Sequence, residues 1–127
     1  MPPNNQPVKK IICLLVLGVL GFGLLVRSAP ALSPDVAREY LKNGALVIDV
    51  RTVAEFQAKH LTNVINIPLG DLQAGLPRQI TNRAQVLLLH CRSGHRSGLA
   101  EAKLRAMGYT NTFNLGSYEQ ARSTLQQ

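Results

Sequence analysis

The chain has 127 residues, room for one compact domain, with 14 Lys and Arg against 7 Asp and Glu for a formal net charge of +7. Its basic residues form no dense stripe with interleaved aromatics, which argues against a nucleic-acid surface. Of its two cysteines, Cys13 lies in an apolar leader, so Cys91 alone is left in the domain, too few for a disulfide staple or a cysteine zinc site.

The leader reads as an export signal. Met1 to Pro7 is polar and proline-rich, Lys9-Lys10 follow, Ile11 to Val26 is uncharged, and Arg27 closes the run before the small residues Ala29-Pro30-Ala31. The apolar run falls short of the roughly 20 residues that a spanning helix needs. Residues 1–31 are expected to be a cleaved signal peptide or an uncleaved N-terminal anchor. Because the lysines precede the apolar run, either form sends residues 32–127 across the membrane, to the periplasm or to a tether facing it. Cys13 lacks a lipid-attachment context and reads as a passenger. Taking Lys9, Lys10 and Arg27 from the 14 basic residues leaves 11 against 7 acids, a net of +4 that suits a small anionic substrate.

Ser33-Pro34-Asp35 opens the first helix with an N-cap, a proline at the first helical position and an acid in the first turn. Val36, Ala37, Tyr40 and Leu41 share its inward face until Asn43-Gly44 stops it. Ala45 to Val50 is apolar except for Asp49, as in a parallel strand buried on both faces. Thr52 and Glu55 form a capping box for a second helix through Lys59. Asp49 is read as accepting backbone N–H bonds and Arg51 as pairing with Glu55, structural roles at a strand's C-terminal edge. His60 has no metal-ligand partner and reads as a turn histidine bonded locally.

Asn63 to Pro68 is a short strand. Leu69 to Ile80 is weakly helical, interrupted at Gly75 and Pro77, with Leu72, Leu76 and Ile80 on one face. Leu87 to His90 is a buried strand. A helix from Ser97 to Met107 turns Leu99, Ala102 and Ala106 inward and stops at Gly108. Tyr109 to Leu115 is the last strand, and Gly116-Ser117 caps a terminal helix through Leu125. The alternation of helix and strand means a doubly wound parallel sheet with right-handed crossovers, in a strand order the sequence leaves open.

The informative stretch lies between the third strand and its helix: Cys91-Arg92-Ser93-Gly94-His95-Arg96-Ser97. It puts a thiol at the C-terminal edge of a parallel sheet, facing a helix N-terminus whose free N–H groups favour negative charge. Gly94 can take backbone angles that turn successive N–H groups inward as an anion nest. Arg92, His95 and Arg96 add positive charge. A cysteine held there has a lowered pKa and is nucleophilic at neutral pH.

Two motifs in register then carry a resemblance. Asp49-Val50-Arg51, Glu55-Phe56, His60-Leu61 and Asn66-Ile67-Pro68, followed by the Cys91 to Ser97 loop and Met107-Gly108-Tyr109, resemble the single-domain rhodaneses, or thiosulfate sulfurtransferases, over nearly all of residues 33 to 118. With its leader the chain is similar to the exported, phage-shock type. Asn63-Val64-Ile65 and Leu115-Gly116-Ser117 depart from the family's usual glycines at the rim. The resemblance implies a three-layer α/β/α fold with a central parallel sheet of four to five strands. It implies Cys91 as nucleophile, with Arg92, Ser93, Gly94, His95, Arg96 and Ser97 binding substrate. Cys91 would take the outer sulfur of thiosulfate as a persulfide and pass it to cyanide or another thiophile, in two half-reactions. No cofactor or metal is expected. The expected partners are a small anionic donor and a thiophilic acceptor, with a monomeric protein and membrane contact only through an uncleaved leader.

Two other readings stand beside it. A persulfide relay or binding module for a partner protein would use the same cysteine. A phosphatase of the same architecture has a loop one residue longer, with arginine sixth after the cysteine; here Arg96 is fifth and Ser97 sixth.

Overall fold

The computed structural model describes residues 30–127, so the leader and the start of its cleavage site lie outside the described residues. Nine main elements alternate: α1 (Pro34–Lys42), β1 (Leu46–Asp49), α2 (Val53–Ala58), β2 (Val64–Asn66), α3 (Leu72–Gln79), β3 (Leu87–His90), α4 (His95–Ala106), β4 (Thr112–Gly116) and α5 (Tyr118–Leu125), with a 3-10 turn over Leu69–Asp71. The four strands are all parallel, in the order β2-β1-β3-β4.

Side-chain alternation along the strands divides the core in two. Ile48, Leu87 and Leu89 pack with Leu72, Leu76, Ala100 and Leu104 from α3 and α4. Val47, Leu88 and Leu115 pack on the other face with Ala37 and Ala121 from α1 and α5. Cys91 keeps the parity of Leu87 and Leu89, so its side chain falls on the α4 side. That parity aims the sulfur at a helix start.

The caps form as the sequence predicts. The Ser33 side chain accepts from Val36 N–H, and Thr52–Glu55 and Ser117–Gln120 are complete capping boxes. Gly108 ends α4 at φ 93°, and Leu32 makes an extended lead-in whose N–H donates to Asn114 O at 2.8 Å.

Several details differ. Val36 is 44% exposed, while Ala37 is buried and Tyr40 and Leu41 pack against the core as expected. α3 runs unbroken through Gly75 and Pro77. The burial of Leu72, Leu76 and Ile80 on the sheet outweighs the missing proline N–H. β4 begins at Thr112 rather than Tyr109. The Tyr109 hydroxyl donates to Ile80 O and the Thr112 hydroxyl to Tyr109 O, both at 2.7 Å, holding that turn off the ladder.

α4 starts at His95, two residues before the expected Ser97, because Gly94 takes φ 91° and serves as its N-cap. Its inward residues are Ser97, Ala100 and Leu104, while Leu99 is 51% exposed and Ala102 and Ala106 face solvent. The phase was hidden because the first inward residue is a serine.

His90 closes β3 fully buried, edge-on to the Tyr118 ring at 5.9 Å, with Nε2 lacking a hydrogen-bond partner among the described residues. Burial lowers its pKa and outweighs the pull of Asp49, 3.8 Å away. The unfolded chain therefore binds the His90 proton at a higher pH than the folded one. Stability should fall as pH drops below about 6.5, by up to ~1.4 kcal/mol per pH unit until the folded-state value is reached. Urea unfolding between about pH 7 and about pH 5 checks this: His90→Gln should lose that part of the slope.

Candidate active site

The site is built where β1, β3 and β4 end together. A slip in the β3–β4 register sets Leu89 opposite Asn114 but His90 opposite Gly116, leaving Leu115 as an extra residue. The bulge points Gly116 O at Cys91 N–H (3.3 Å), while Gly116 N–H donates to Asn114 Oδ1 (2.8 Å). Tyr118 N–H donates to Arg92 O at 3.2 Å, and Ser93 bridges Ser117. The start of the cysteine loop is thus stitched to the exit of β4.

The loop then doubles back at Gly94. Its carbonyl accepts from Gly98 N–H and Asn114 Nδ2, each at 3.1 Å. With that carbonyl turned away, Gly94 N–H lies 3.0 Å from Cys91 Sγ, and Ser97 N–H and Oγ each lie 3.5 Å from it. The sulfur occupies the nest that the sequence predicts, at the N-terminus of a 12-residue helix. Burial pushes the thiol pKa up. Hydrogen bonds from the Ser97 side chain and from the Ser97, Ser93 and Gly94 N–H groups together outweigh it, and the net direction is down.

Cys91 is fully buried, although the loop that holds it is rich in glycine and arginine. Gly94 lacks a side chain to hold the loop away, so the backbone wraps the sulfur. The three outer residues Arg92, Ser93 and His95 are exposed at the loop's rim.

Arg96 makes an ion pair that the sequence did not indicate. Its guanidinium grips both Glu55 oxygens at 2.7 and 2.8 Å, clasping the α4 start to α2. This pair holds the Glu55 carboxyl far below the usual carboxylate range. The expected Arg51–Glu55 pair is therefore absent. Arg51 instead forks onto buried Asp49, with contacts from 2.6 to 3.0 Å, and donates to Lys59 O at 2.7 Å. Asp49 Oδ1 also accepts Arg51 N–H, as expected, and Asn66 Nδ2 donates to Asp49 O and Arg51 O. These three residues tie β1, β2 and α2 into the floor of the site, and removing one partner of such a buried pair costs about 3–5 kcal/mol. His60 is the expected turn residue, bonded to Phe56 O at 2.8 Å and stacked on its ring.

Beside the loop lies a cleft of about 530 Å³ lined by Arg51, Glu55, Lys59, Arg92, Tyr118 and Glu119. No sequence signal placed Lys59 or Tyr118 here. Asn114, a buried polar residue on the last strand, was a usable signal; Gly116 was visible only as part of a helix cap. Among the described residues, no group of three or more His, Cys, Asp or Glu could hold a metal ion.

A family model for the rhodanese-like domain matches residues 33–123. The chain is 33% identical to the thiosulfate sulfurtransferase PspE of Escherichia coli over 69 residues, 54% of this chain and 66% of that protein. It is also 33% identical to thiosulfate sulfurtransferase 18 of Arabidopsis thaliana over 104 residues, 71% of this chain and 76% of the relative. The chain spans between 36% and 76% of the lengths of the curated relatives it matches. Among solved structures, a human single-domain sulfurtransferase, TSTD1, superposes with a TM-score of 0.62 at 27% identity, covering 75% of this chain and 96% of that one.

Proposed function

Since the chain belongs to the rhodanese-like domain family, whose sulfurtransferase members it is similar to, we propose that it takes the outer sulfur of thiosulfate onto Cys91 and passes it to a thiophile. The Cys91 thiolate attacks that sulfur, the sulfur–sulfur bond breaks, and sulfite leaves with the electron pair. The Cys91 persulfide then gives up its outer sulfur, returning the pair to Sγ. Each half-reaction begins and ends with a negative sulfur at the nest, Sγ in the thiolate and the outer sulfur in the persulfide. Fixed N–H groups of Gly94 and Ser97 suit that, since they need no reorganisation.

The single observation that carries this reading is the convergence of Gly94 and Ser97 donors on one sulfur. Phosphate chemistry finds less support. An arginine fork free to take a phosphate bidentately would be needed, and that of Arg96 is engaged by Glu55. With its leader, the protein would act outside the cytoplasmic membrane, like an exported phage-shock sulfurtransferase.

Intact mass tests both parts. After incubation with thiosulfate the protein should gain the mass of one sulfur, lost again on adding cyanide, and protein recovered from the cell envelope should begin at Leu32 or retain the leader as an anchor. An unchanged mass with thiosulfate contradicts the donor, and recovery from the cytoplasm contradicts the location.

A further inference from the structure

The Ser97 hydroxyl has one hydrogen and three acceptors within reach: Gly94 O at 3.1 Å, Gly116 O at 3.4 Å and Cys91 Sγ at 3.5 Å. Distance alone would give the hydrogen to Gly94 O, whereas a sulfur anion needs it on Sγ. The group that decides between them lies outside the loop, on β4. Asn114 Nδ2 and Gly98 N–H each donate to Gly94 O at 3.1 Å, so both lone pairs of that oxygen are taken. Gly116 O already accepts Cys91 N–H at 3.3 Å. Sγ is then the acceptor with most to gain, because a donor stabilises a thiolate more than it does a carbonyl that is already bonded.

The Asn114 amide can face only one way. Its Oδ1 accepts Gly116 N–H at 2.8 Å, which turns Nδ2 to the Gly94 carbonyl; the reverse would set oxygen against oxygen and N–H against N–H. The side chain is buried, and Leu32 N–H donates to Asn114 O at 2.8 Å, so the backbone that carries it is held as well. We propose that Asn114 is a positioning residue for the reacting sulfur: by filling Gly94 O it leaves the Ser97 hydroxyl hydrogen to Cys91 Sγ. Its effect on sulfur transfer rests on the persulfide reading; its effect on the thiol does not.

Asn114→Ser isolates the donor. A serine hydroxyl ends one atom short of Nδ2 and loses Gly94 O, yet it can still accept the N–H two residues on, that of Gly116. In the full chain, thiolate absorbance is followed against pH and the titration of the matching Cys91→Ser variant is subtracted. The Cys91 midpoint should lie about 0.5 pH units or more higher in Asn114→Ser. Ser97→Ala should raise it too, and adding Asn114→Ser to Ser97→Ala should raise it no further, since the hydroxyl through which Asn114 acts is gone. Below both midpoints, kcat/KM for thiosulfate should fall about threefold or more in Asn114→Ser, following the thiolate fraction. Thr112→Val removes a buried hydroxyl that bonds Tyr109 O on the same strand; it should lower the thermal midpoint and leave the Cys91 midpoint in place. The assignment is overturned by an unchanged Cys91 midpoint in Asn114→Ser, by a rise of the same size with and without the Ser97 hydroxyl, or by an equal rise in Thr112→Val. Where the serine variant unfolds, Asn114→Thr puts the same hydroxyl on a residue that favours strands and decides the same question. If thiosulfate fails to load Cys91, the sulfur-transfer reading falls, and the titration still decides the role of Asn114.

Discussion

Cys91→Ser is expected to lower sulfur transfer by at least about a thousandfold, because a serine hydroxyl is neither ionised at neutral pH nor able to form a persulfide. The same substitution should scarcely disturb the fold. Serine differs by one atom and its oxygen can accept from Gly94 and Ser97 N–H, the donors that now face Sγ. The thermal midpoint should stay within about 5 °C of the parent, which corresponds to a change of roughly 1 kcal/mol or less. Steady-state transfer from thiosulfate and a melting curve check the two halves together. Surviving activity would mean that another group is the nucleophile.

Gly94→Ala attacks the cradle and leaves the sulfur in place. Gly94 holds φ 91°, and a Cβ there would meet Gly116 Cα and carbonyl carbon at 3.2 Å. Those are backbone atoms that no rotamer change can move aside. Left-handed backbone costs a side chain about 1–2 kcal/mol before the clash is counted. Relief comes only by moving the loop away from β4, and that movement carries Gly94 N–H away from its 3.0 Å contact with Sγ. Loss of one such donor is worth about a hundredfold or more in rate, so activity should fall by that factor and the midpoint by roughly 5–10 °C. Gly44→Ala is the control. Its φ is 89° but a Cβ there meets nothing within 4 Å, so it should lose stability without losing transfer.

Local chemistry made much of this legible in the sequence. The caps at Ser33, Thr52 and Ser117, the stop at Gly108 and the parallel character of the Leu87 run all follow from neighbouring residues, and the structure has them. The nest around Cys91 follows too, because one glycine and the start of a helix make it.

What lay hidden depends on contacts distant in the chain. Arg51 could fork onto Asp49 or Glu55, and only the meeting of α2 with α4 shows that Glu55 is taken by Arg96, 41 residues away. The inward face of α4 is set by Ser97 reaching Sγ and Gly116 O, a polar anchor invisible to a search for apolar spacing. The cleft needs α2, the cysteine loop and α5 side by side, which no local pattern encodes.

The central claim is that fixed main-chain donors hold the Cys91 sulfur as an anion, even though the residue is fully buried. Thiolate absorbance followed against pH reads that state without requiring a reagent to enter the closed loop. Subtracting the titration of Cys91→Ser removes the contribution of Cys13. A midpoint for Cys91 clearly below the ordinary 9.0 is the predicted result; one at or above that value would mean that burial prevails over the donors, and would contradict the account.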